Sequence, residues 1–524
     1  MSNETVYRLA DRRRGTALLG LTVPQLALAA AGIVGAVLIA ANTRSAAGVL
    51  AGLGMVFGCG LLVFMPVGGQ PSYEAAATLA GFLCQRAAGR HRWAAPLPLL
   101  RGTPEGQATA RQATPLPACL AGIELLAVPR PGWAGSDRTL APIGLVRDRH
   151  GATLTVVVGV RGDGFSLLDP SDQHLRLAGW AQVLSQFARE ASPVTRLGWS
   201  LWSAPAAPAE HLDWLTDVSR GGRTVVAGEG YRQLLEATGV IRSELRVWLT
   251  VDPRRMRANG VGRSAAAVAA AEALVDRCAA AGLVCSAPLS PVQIAEAMRI
   301  QADPSAMSPL HGVRRSLAAR AGLSSSPTAG RSGQPSDAPS GVDMVHAAPL
   351  AVETYWDAVR VDGAWHRVFW IAQWPSLELA PGWWDRLLLA PTGARTVAVV
   401  MEPVPARMSR RRINAESVSV QGQVQLRERH AFRVPVGLQQ AQAEVDQRES
   451  ELQAGFPEYG YLALVAVTGA DRQQLDAHSH ALMDSAAQCG IVELRPLHGR
   501  HDLAWACTLP IGRTPGRRLL DGGP

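Results

Sequence analysis

Residues 11–69 decide the architecture of this chain: "DRRRGTALLGLTVPQLALAAAGIVGAVLIAANTRSAAGVLAGLGMVFGCGLLVFMPVGG". Three arginines, Arg12, Arg13 and Arg14, lead into two apolar runs at residues 18–41 and 46–67. Neither run contains a charged residue, and each is close to the ~20 residues that cross the hydrocarbon core of a bilayer. Only four residues separate the runs, so the chain must turn back on itself. The sequence therefore predicts a transmembrane hairpin of two helices.

Two other structures could account for the apolar runs. A cleavable signal peptide has a shorter apolar region and is not followed by a second span. A buried hairpin of a soluble protein remains open, although uncharged runs of this length suit lipid better. Glycines in both runs favour close helix packing in lipid: Gly32, Gly35, Gly48, Gly52, Gly54, Gly58 and Gly60.

The arginines that flank the spans predict the orientation of the hairpin. Basic residues accumulate on the cytoplasmic side of a membrane protein, and here the turn contains Arg44 alone. We therefore expect both termini and the main body on the cytoplasmic side of the inner membrane. This orientation rests on the arginines outside the turn, which are Arg8, Arg12, Arg13 and Arg14 before the first span and Arg86, Arg90 and Arg92 after the second.

The overall composition limits the possible chemistry. The formal net charge is +8 and the isoelectric point is about 9.5, which suits anionic lipid or nucleic acid. All 51 basic residues are arginine. A chain without lysine has neither the lysine of a Walker A loop nor the amine of a Schiff-base enzyme. Its seven cysteines form no C-x-x-C pair and are expected to be reduced and mostly buried.

The remaining chain shows alternating strand and helix patterns on both sides of a polar linker. We predict a membrane unit with a juxtamembrane helix over residues 1–92 and a first α+β lobe over 93–323. A Ser/Pro/Gly linker over 324–341 and a second α+β lobe over 342–524 follow. The repeated β-α-β order predicts that both lobes are ferredoxin-like α/β sandwiches, and the second block repeats the first in style.

The second block carries several specific secondary-structure predictions. A long helical region is expected over residues 406–454, broken near 434–437 by a proline and a glycine. After it come the strand "YLALVAVTG", a helix over 471–488, and the strands "IVELRPL" and "LAWACTLP". These elements predict a β-α-β-β end for the chain.

No residue pattern indicates an enzyme. His478 and His480 are two apart on a predicted helix and point in different directions, so they are poor joint metal ligands. His498 and His501 surround a turn, but they lack the spacing of a known zinc motif. "VVAGEGYRQLL" lacks the spacing of a nucleotide-binding loop, and there is no G-x-S-x-G elbow. We predict no catalytic residue, no cofactor and no metal.

Two groups of residues are candidate contacts with a partner. Arg410, Arg411 and Arg412 lie at the basic end of the predicted long helix and are expected to meet an acidic partner or another anion, although such clusters are usually solvated faces. Trp383 and Trp384 cannot both point inward on a helix, so one of them is expected to mark a contact surface.

The hairpin with "GLTVPQL" resembles the PrgI-type membrane proteins of Gram-positive conjugative elements. "GFSLLD", "DGAWHRVFWIAQWP" and "GWWDRLLLAPTGARTVAVVMEPVPARMSRRRI" resemble the N-terminal, non-ATPase region of the transfer ATPases of type IV secretion systems, as does "ERHAFRVPVGLQQAQAEVDQRESELQAGFPEYGYLALVAVTG". Most of the chain is covered at the level of pattern, and no single motif is diagnostic. The whole arrangement is most similar to the actinobacterial conjugation-associated membrane proteins.

This resemblance implies a scaffold of the inner membrane that docks a separate transfer ATPase and other channel subunits, and that forms homo-oligomers. The family's ATPases continue into a motor domain with Walker motifs, whereas this chain ends at Pro524. ATP hydrolysis is therefore expected from another subunit, and no catalytic residue is carried over.

Two alternatives to the conjugation scaffold remain open from sequence. The first is an EccE-like subunit of a type VII secretion complex, which also combines two N-terminal spans with a cytoplasmic body. The second is a membrane-tethered nucleic-acid-binding protein that uses its arginine clusters, and this alternative predicts binding that weakens steeply with salt.

Overall fold

A computed structural model describes the chain over residues 23–43, 45–67, 70–95, 116–129, 142–162, 164–189, 192–205, 233–234, 241–255, 260–306, 340–342, 344, 347–375, 379–389, 393–429 and 433–514. Two of its helices, over Gln25–Thr43 and Ala46–Phe64, are long and apolar enough to cross a membrane, and few of their residues are buried. The structure is therefore compatible with membrane anchoring. The elements of this region are α1 (Val23–Thr43), α2 (Ala46–Phe64), β1 (Pro66–Val67), β2 (Gln70–Pro71) and α3 (Ser72–Ala87).

Four of the seven hairpin glycines lie where α1 and α2 approach each other. A Cβ atom at Gly32 would lie 2.7 Å from Cβ of Cys59, and one at Gly52 would lie 3.0 Å from the carbonyl oxygen of Ala36. Gly35 and Gly48 are equally confined. The other three, Gly54, Gly58 and Gly60, have no atom within 4 Å of such a Cβ and face away from the contact.

The first half of the body consists of a strand that follows α3, a three-strand meander, and then alternating helices and strands. Its elements are β3 (Arg92–Ala94), β4 (Ile123–Val128), β5 (Ile143–Asp148), β6 (Thr153–Arg161), α4 (Pro170–Phe187), β7 (Val194–Pro205), β8 (Ile241–Val251), α5 (Gly260–Ala280), β9 (Val284–Pro288) and α6 (Pro291–Ala302).

The second half repeats this order and adds a pair of long helices between two of its strands. Its elements are β10 (Ser340–Val342), β11 (Ala351–Thr354), β12 (Val359–Val361), β13 (Ala364–Gln373), α7 (Asp385–Leu389), β14 (Arg395–Pro403), α8 (Ala406–Arg429), α9 (Val436–Gln453), β15 (Tyr459–Gly469), α10 (Arg472–Gln488), β16 (Glu493–Pro496) and α11 (His501–Thr508).

All described strands of the body belong to one antiparallel sheet, so the predicted α+β class is confirmed. The order is β10-β4-β5-β6-β8-β7-β14-β15-β13-β12-β11-β3, with β9 also paired to β6 and β16 to β13. The two halves meet where β7 pairs with β14, with Trp199 opposite Val399. The predicted lobes therefore share a continuous sheet.

The two halves are related by matching strand registers as well as by element order. In the first half, Thr155 of β6 lies opposite Thr250 of β8, and their hydroxyl oxygens are 2.9 Å apart. In the second half, His366 of β13 lies opposite Thr468 of β15, and Nδ1 of the histidine is 3.0 Å from the threonine hydroxyl. Equivalent positions thus carry a side-chain hydrogen bond between equivalent strands.

Each half completes the other at its edge. β3 is the first strand of the first half in sequence but pairs with β11 of the second half, and β10 is the first strand of the second half but pairs with β4 of the first. The segments after α6 and α11 also cross over. Asp303 accepts a hydrogen bond from the amide of Gly363 at 3.2 Å, and Arg513 forms an ion pair with Asp148 at 3.3 Å.

The sheet buries an apolar layer on each face. One layer packs beneath α4, α5, α7 and α10, and the other packs beneath α6 and α11. Fully buried Trp248 and Trp505 belong to the second layer. Since apolar burial is the main favourable contribution to folding, these two layers hold the strands of both halves together.

Two sequence predictions were wrong in detail. "LAWACTLP" was expected to be a strand, but residues 501–508 form α11, whose side chains are buried except for Leu503. A short helix that is buried on nearly all sides looks like a short apolar strand, and periodicity alone does not separate the two. The end of the predicted linker, Ser340 and Gly341, belongs to strand β10. Residues 324–339 lie outside the described part of the chain.

Candidate docking surfaces

The first candidate surface is the junction between the membrane hairpin and the body. Phe82 of α3 is only 5% exposed, and its ring makes an edge contact with Trp356 at 5.5 Å. Trp356 stacks on His498 at 5.7 Å, and its carbonyl oxygen accepts a hydrogen bond from the amide of Gly499. The backbone of Gly499 has φ +67°, and a Cβ there would lie 2.8 Å from the Trp356 ring. The junction therefore requires glycine at this position.

His498 and His501 lie behind this junction and are not arranged for a metal. Their ring centroids are 5.9 Å apart at nearly right angles. Nδ1 of His501 accepts a hydrogen bond from the amide of Val368, so the buried ring is neutral with its proton on Nε2. Burial lowers the pKa of His501 to about 3, and the neighbouring His498 contributes in the same direction. No group of three or more metal-binding side chains occurs among the described residues.

The second candidate surface is the helical pair α8–α9, which we call the arm. It leaves the sheet after β14 and returns into β15, and the amide of Val404 donates to the carbonyl of Glu458 at its base. α8 has 24 residues, which corresponds to a length of about 36 Å. Ile413 of α8 and Val445 of α9 are buried, and Arg448 forms an ion pair with Glu416 across the two helices.

The outer surface of the arm is basic near its base and apolar further along. Arg410 and Arg411 are exposed, whereas Arg412 is half-buried, so two of the three predicted contact residues face solvent. Val418 is 71% exposed and Leu426 is 60% exposed. Sequence patterns predicted both helices, but they did not show that the pair stands out from the sheet, because this depends on which strands the helices connect.

Trp383 and Trp384 belong to a cluster of half-buried aromatic side chains at the edge of one core layer. They lie in a turn before α7 and stack on each other at 5.4 Å. Trp384 also contacts Trp199 of the first half at 5.5 Å, and Trp374 contacts Tyr461 at 5.3 Å. This cluster spans the line where the two halves meet. That one tryptophan marks a contact surface stays a prediction.

The arginines that predicted the orientation are only partly described. Arg12, Arg13 and Arg14 lie outside the described residues. Arg90 is exposed just beyond α3. Arg92 lies in β3, and its side chain forms an ion pair with Glu353 of the neighbouring strand β11 at 3.6 Å.

The remaining candidate residues from the sequence are the histidines of α10 and the seven cysteines. Nδ1 of His478 lies 2.8 Å from the carbonyl oxygen of Thr468, whereas His480 is exposed. All seven cysteines are free thiols, and Cys119, Cys278, Cys489 and Cys507 are buried. Burial raises the pKa of Cys507 to about 12, so this thiol is not a reactive nucleophile at neutral pH.

No protein-family model matches the chain, and no curated protein matches it in sequence.

Proposed function

We propose that the protein is a non-enzymatic, membrane-anchored scaffold of a conjugative, type IV-like DNA-transfer apparatus. The observation that carries the proposal is the continuous packed path from the hairpin through α3 to the body. Phe82 packs against Trp356 and beside Gly499, so the body is held at a fixed position relative to the proposed membrane anchor. Such a path suits a protein that positions a partner at a membrane.

The body then lies in the cytoplasm, as the flanking arginines favour. Each half has the β-α-β-β-α-β order of a ferredoxin-like unit, with β9-β6-β8-β7 in the first half and β16-β13-β15-β14 in the second. These orders support the assignment of two ferredoxin-like halves that share one sheet.

The arm is the proposed docking site for a separate transfer ATPase. It projects from two strands near the centre of the sheet, and Arg410 and Arg411 with the exposed Val418 offer a basic and an apolar contact on one element. Partner interfaces commonly combine an apolar centre with a polar rim. Neighbouring copies of the scaffold would then arrange several ATPase subunits at the channel entrance.

The test is site-specific photo-crosslinking in the native host. A photoreactive residue at Val418 should crosslink to a P-loop ATPase, whereas one at Leu175, which is 72% exposed on α4, serves as the matched control. Crosslinks from Leu175 but not Val418 would contradict docking through the arm. Crosslinks to subunits of a type VII complex would support the EccE-like alternative.

A groove lined by arginines favours a second candidate, direct nucleic-acid binding. Arg147, Arg149, Arg254 and Arg263 line an open depression of about 390 Å³ beside the β5–β6 turn. Full-length protein in detergent should then bind DNA with an affinity that falls steeply with salt, and Arg254→Glu should weaken it. A DNA affinity that is insensitive to salt or to this substitution would exclude specific binding of nucleic acid in this groove.

A further inference from the structure

A charged cavity of about 620 Å³ lies in the first half, between the ends of β6 and β8, β9 and helix α6. Its lining includes three arginines and two glutamates around Gly159: Arg161, Arg242, Arg246, Glu244 and Glu296. Small-molecule sites commonly have volumes of about 300–1,000 Å³. The cavity therefore has room for an organic molecule rather than a single ion.

The corresponding place in the second half is filled by a tryptophan and two leucines, with Arg495 of β16 stacked over the tryptophan ring and paired with Glu493. In the first half, Pro288 of β9 lies opposite Val158 of β6, and in the second half Pro496 of β16 lies opposite Phe369 of β13. Val158 and Phe369 therefore occupy equivalent positions, and so do the residues that follow them, Gly159 and Trp370. Arg246 lies opposite Gly159, and Leu464 lies opposite Trp370. By the same pairing, Glu244 is equivalent to Leu462. Trp370, Leu462 and Leu464 all belong to a packed core layer.

The same fold therefore closes this position with a tryptophan and two leucines in one half and opens it with a glycine and a charged pair in the other. A charged pair beneath a sheet costs desolvation free energy, and apolar side chains of similar size are often at least as stabilising. Stability of the fold alone does not require Arg246.

The positive charge of Arg246 is only partly neutralised by the described residues. Its side chain is 6% exposed, and Nη2 contacts Glu244. Glu244 is shared, because its other carboxylate oxygen lies 2.6 Å from Nη2 of Arg242. Nη1 of Arg246 is buried and has no hydrogen-bond partner among the described residues. Glu296 is a second, weaker electrostatic partner of Arg246. A buried guanidinium that shares its hydrogen-bonded carboxylate with a second arginine favours an added anion.

We propose that this cavity binds a small molecule that carries a phosphate or carboxylate group, which Arg246 and Arg242 hold while the space left by Gly159 admits the rest of the molecule. The amide of Gly159 is already engaged by the hydroxyl of Ser286 at 3.0 Å, so this wall of the cavity is fixed. The site lies on the first half, apart from the arm, and does not depend on the scaffold function.

Isothermal titration calorimetry of the full-length protein in detergent tests the proposal. The probes are inorganic phosphate, adenosine monophosphate and succinate, each at constant ionic strength. We expect saturable binding of at least one probe with a Kd of about 1 mM or tighter. Tighter binding of adenosine monophosphate than of phosphate would identify a phosphorylated organic ligand, and binding of succinate alone would identify a carboxylate.

Arg246→Leu copies the residue at the equivalent position of the second half and should fold. It should weaken binding by about 10-fold or more, because a charge-assisted hydrogen bond is lost. Arg189→Leu removes an exposed arginine at the end of α4 and should bind like the wild type. Gly159→Leu keeps both arginines but fills the space, and it should reduce binding of the organic probes most.

Two results would overturn the proposal. One is the absence of binding of all three probes by the wild-type protein at concentrations about ten times the expected Kd. The other is equal affinity of the wild type and Arg246→Leu for a probe that does bind. Unaltered thermal unfolding of each variant without ligand confirms that lost binding does not reflect lost folding.

Discussion

Buried histidines make the stability of the body depend on pH. His366 is fully buried, with Nε2 2.8 Å from the carbonyl oxygen of Ala302. Burial lowers its pKa from 6.5 to about 4, although the Ala302 carbonyl opposes the shift. Below pH 6.5 the unfolded chain therefore binds more protons than the folded protein, and stability falls as the pH drops towards 4.

We expect His366 to account for a loss of about 3 kcal/mol between these pH values. Chemical denaturation at pH 7, 5 and 4 measures this loss. His366→Gln keeps a polar side chain but does not titrate, so its stability should decline less over the same range. Equal slopes for both proteins would show that His366 does not carry the effect.

Two neighbouring residues of α3, one buried against the body and one exposed, allow packing at the junction to be tested. Phe82 is 5% exposed against the body, whereas Leu83 is 53% exposed. Phe82→Ala should destabilise the docking of α3 by about 3 kcal/mol, a value typical of a buried aromatic residue. Hydrogen exchange of residues 72–87 should then become faster, while Leu83→Ala should leave it unchanged. The same response in both variants would contradict a packed junction.

Glycine positions within the hairpin give a prediction at the scale of the element. Gly52→Val should destabilise the α1–α2 pair by about 1–3 kcal/mol, since the added atoms meet the backbone of Ala36. Gly58→Val should be tolerated because that position is open. Unfolding of the two variants in detergent measures the difference. A loss at Gly58 equal to that at Gly52 would mean that the helices pack through another face.

Sequence patterns predicted most elements because their signals are local. The uncharged runs gave α1 and α2, and the proline and glycine near residues 434–437 gave the break between α8 and α9. Residues 501–508 were assigned wrongly because nearly complete burial removes the helical period. The pairings of β3 with β11 and of β10 with β4 join residues that are far apart in sequence, so no local pattern indicates them. The cavity around Arg246 was missed for the same reason.

At the scale of the whole molecule, the exchanged edges predict that the two halves fold as one unit. Each half supplies an edge strand and a terminal segment to the other, and Arg513 in one such segment contacts both Asp148 and the carbonyl of Ala121. A chain cut within residues 324–339 and expressed as two co-produced pieces should therefore purify as one complex.

Arg513→Ala should weaken that complex, because it removes an ion pair and the hydrogen bonds to backbone carbonyl groups. Arg189→Ala, at an exposed position, should leave it intact. Size-exclusion chromatography of the co-expressed pieces checks both expectations. Pieces that elute separately as folded monomers would contradict the exchange.

The proposed scaffold joins these scales into one mechanism. In this proposal the hairpin anchors the chain, the packed α3 junction joins the hairpin to the body, and the shared sheet carries the arm. Interfaces that are already rigid before association bind without a large ordering cost. A partner docked on the arm would therefore be held at a defined distance from the membrane.

Affinity purification of the detergent-solubilised protein from its native host, with crosslinking and mass spectrometry, tests this account most directly. We predict crosslinks from residues 406–453 to a P-loop ATPase, together with other subunits of a DNA-transfer channel. Recovery with type VII subunits would assign the protein to that system instead. Recovery of a monomer without partners would contradict the scaffold.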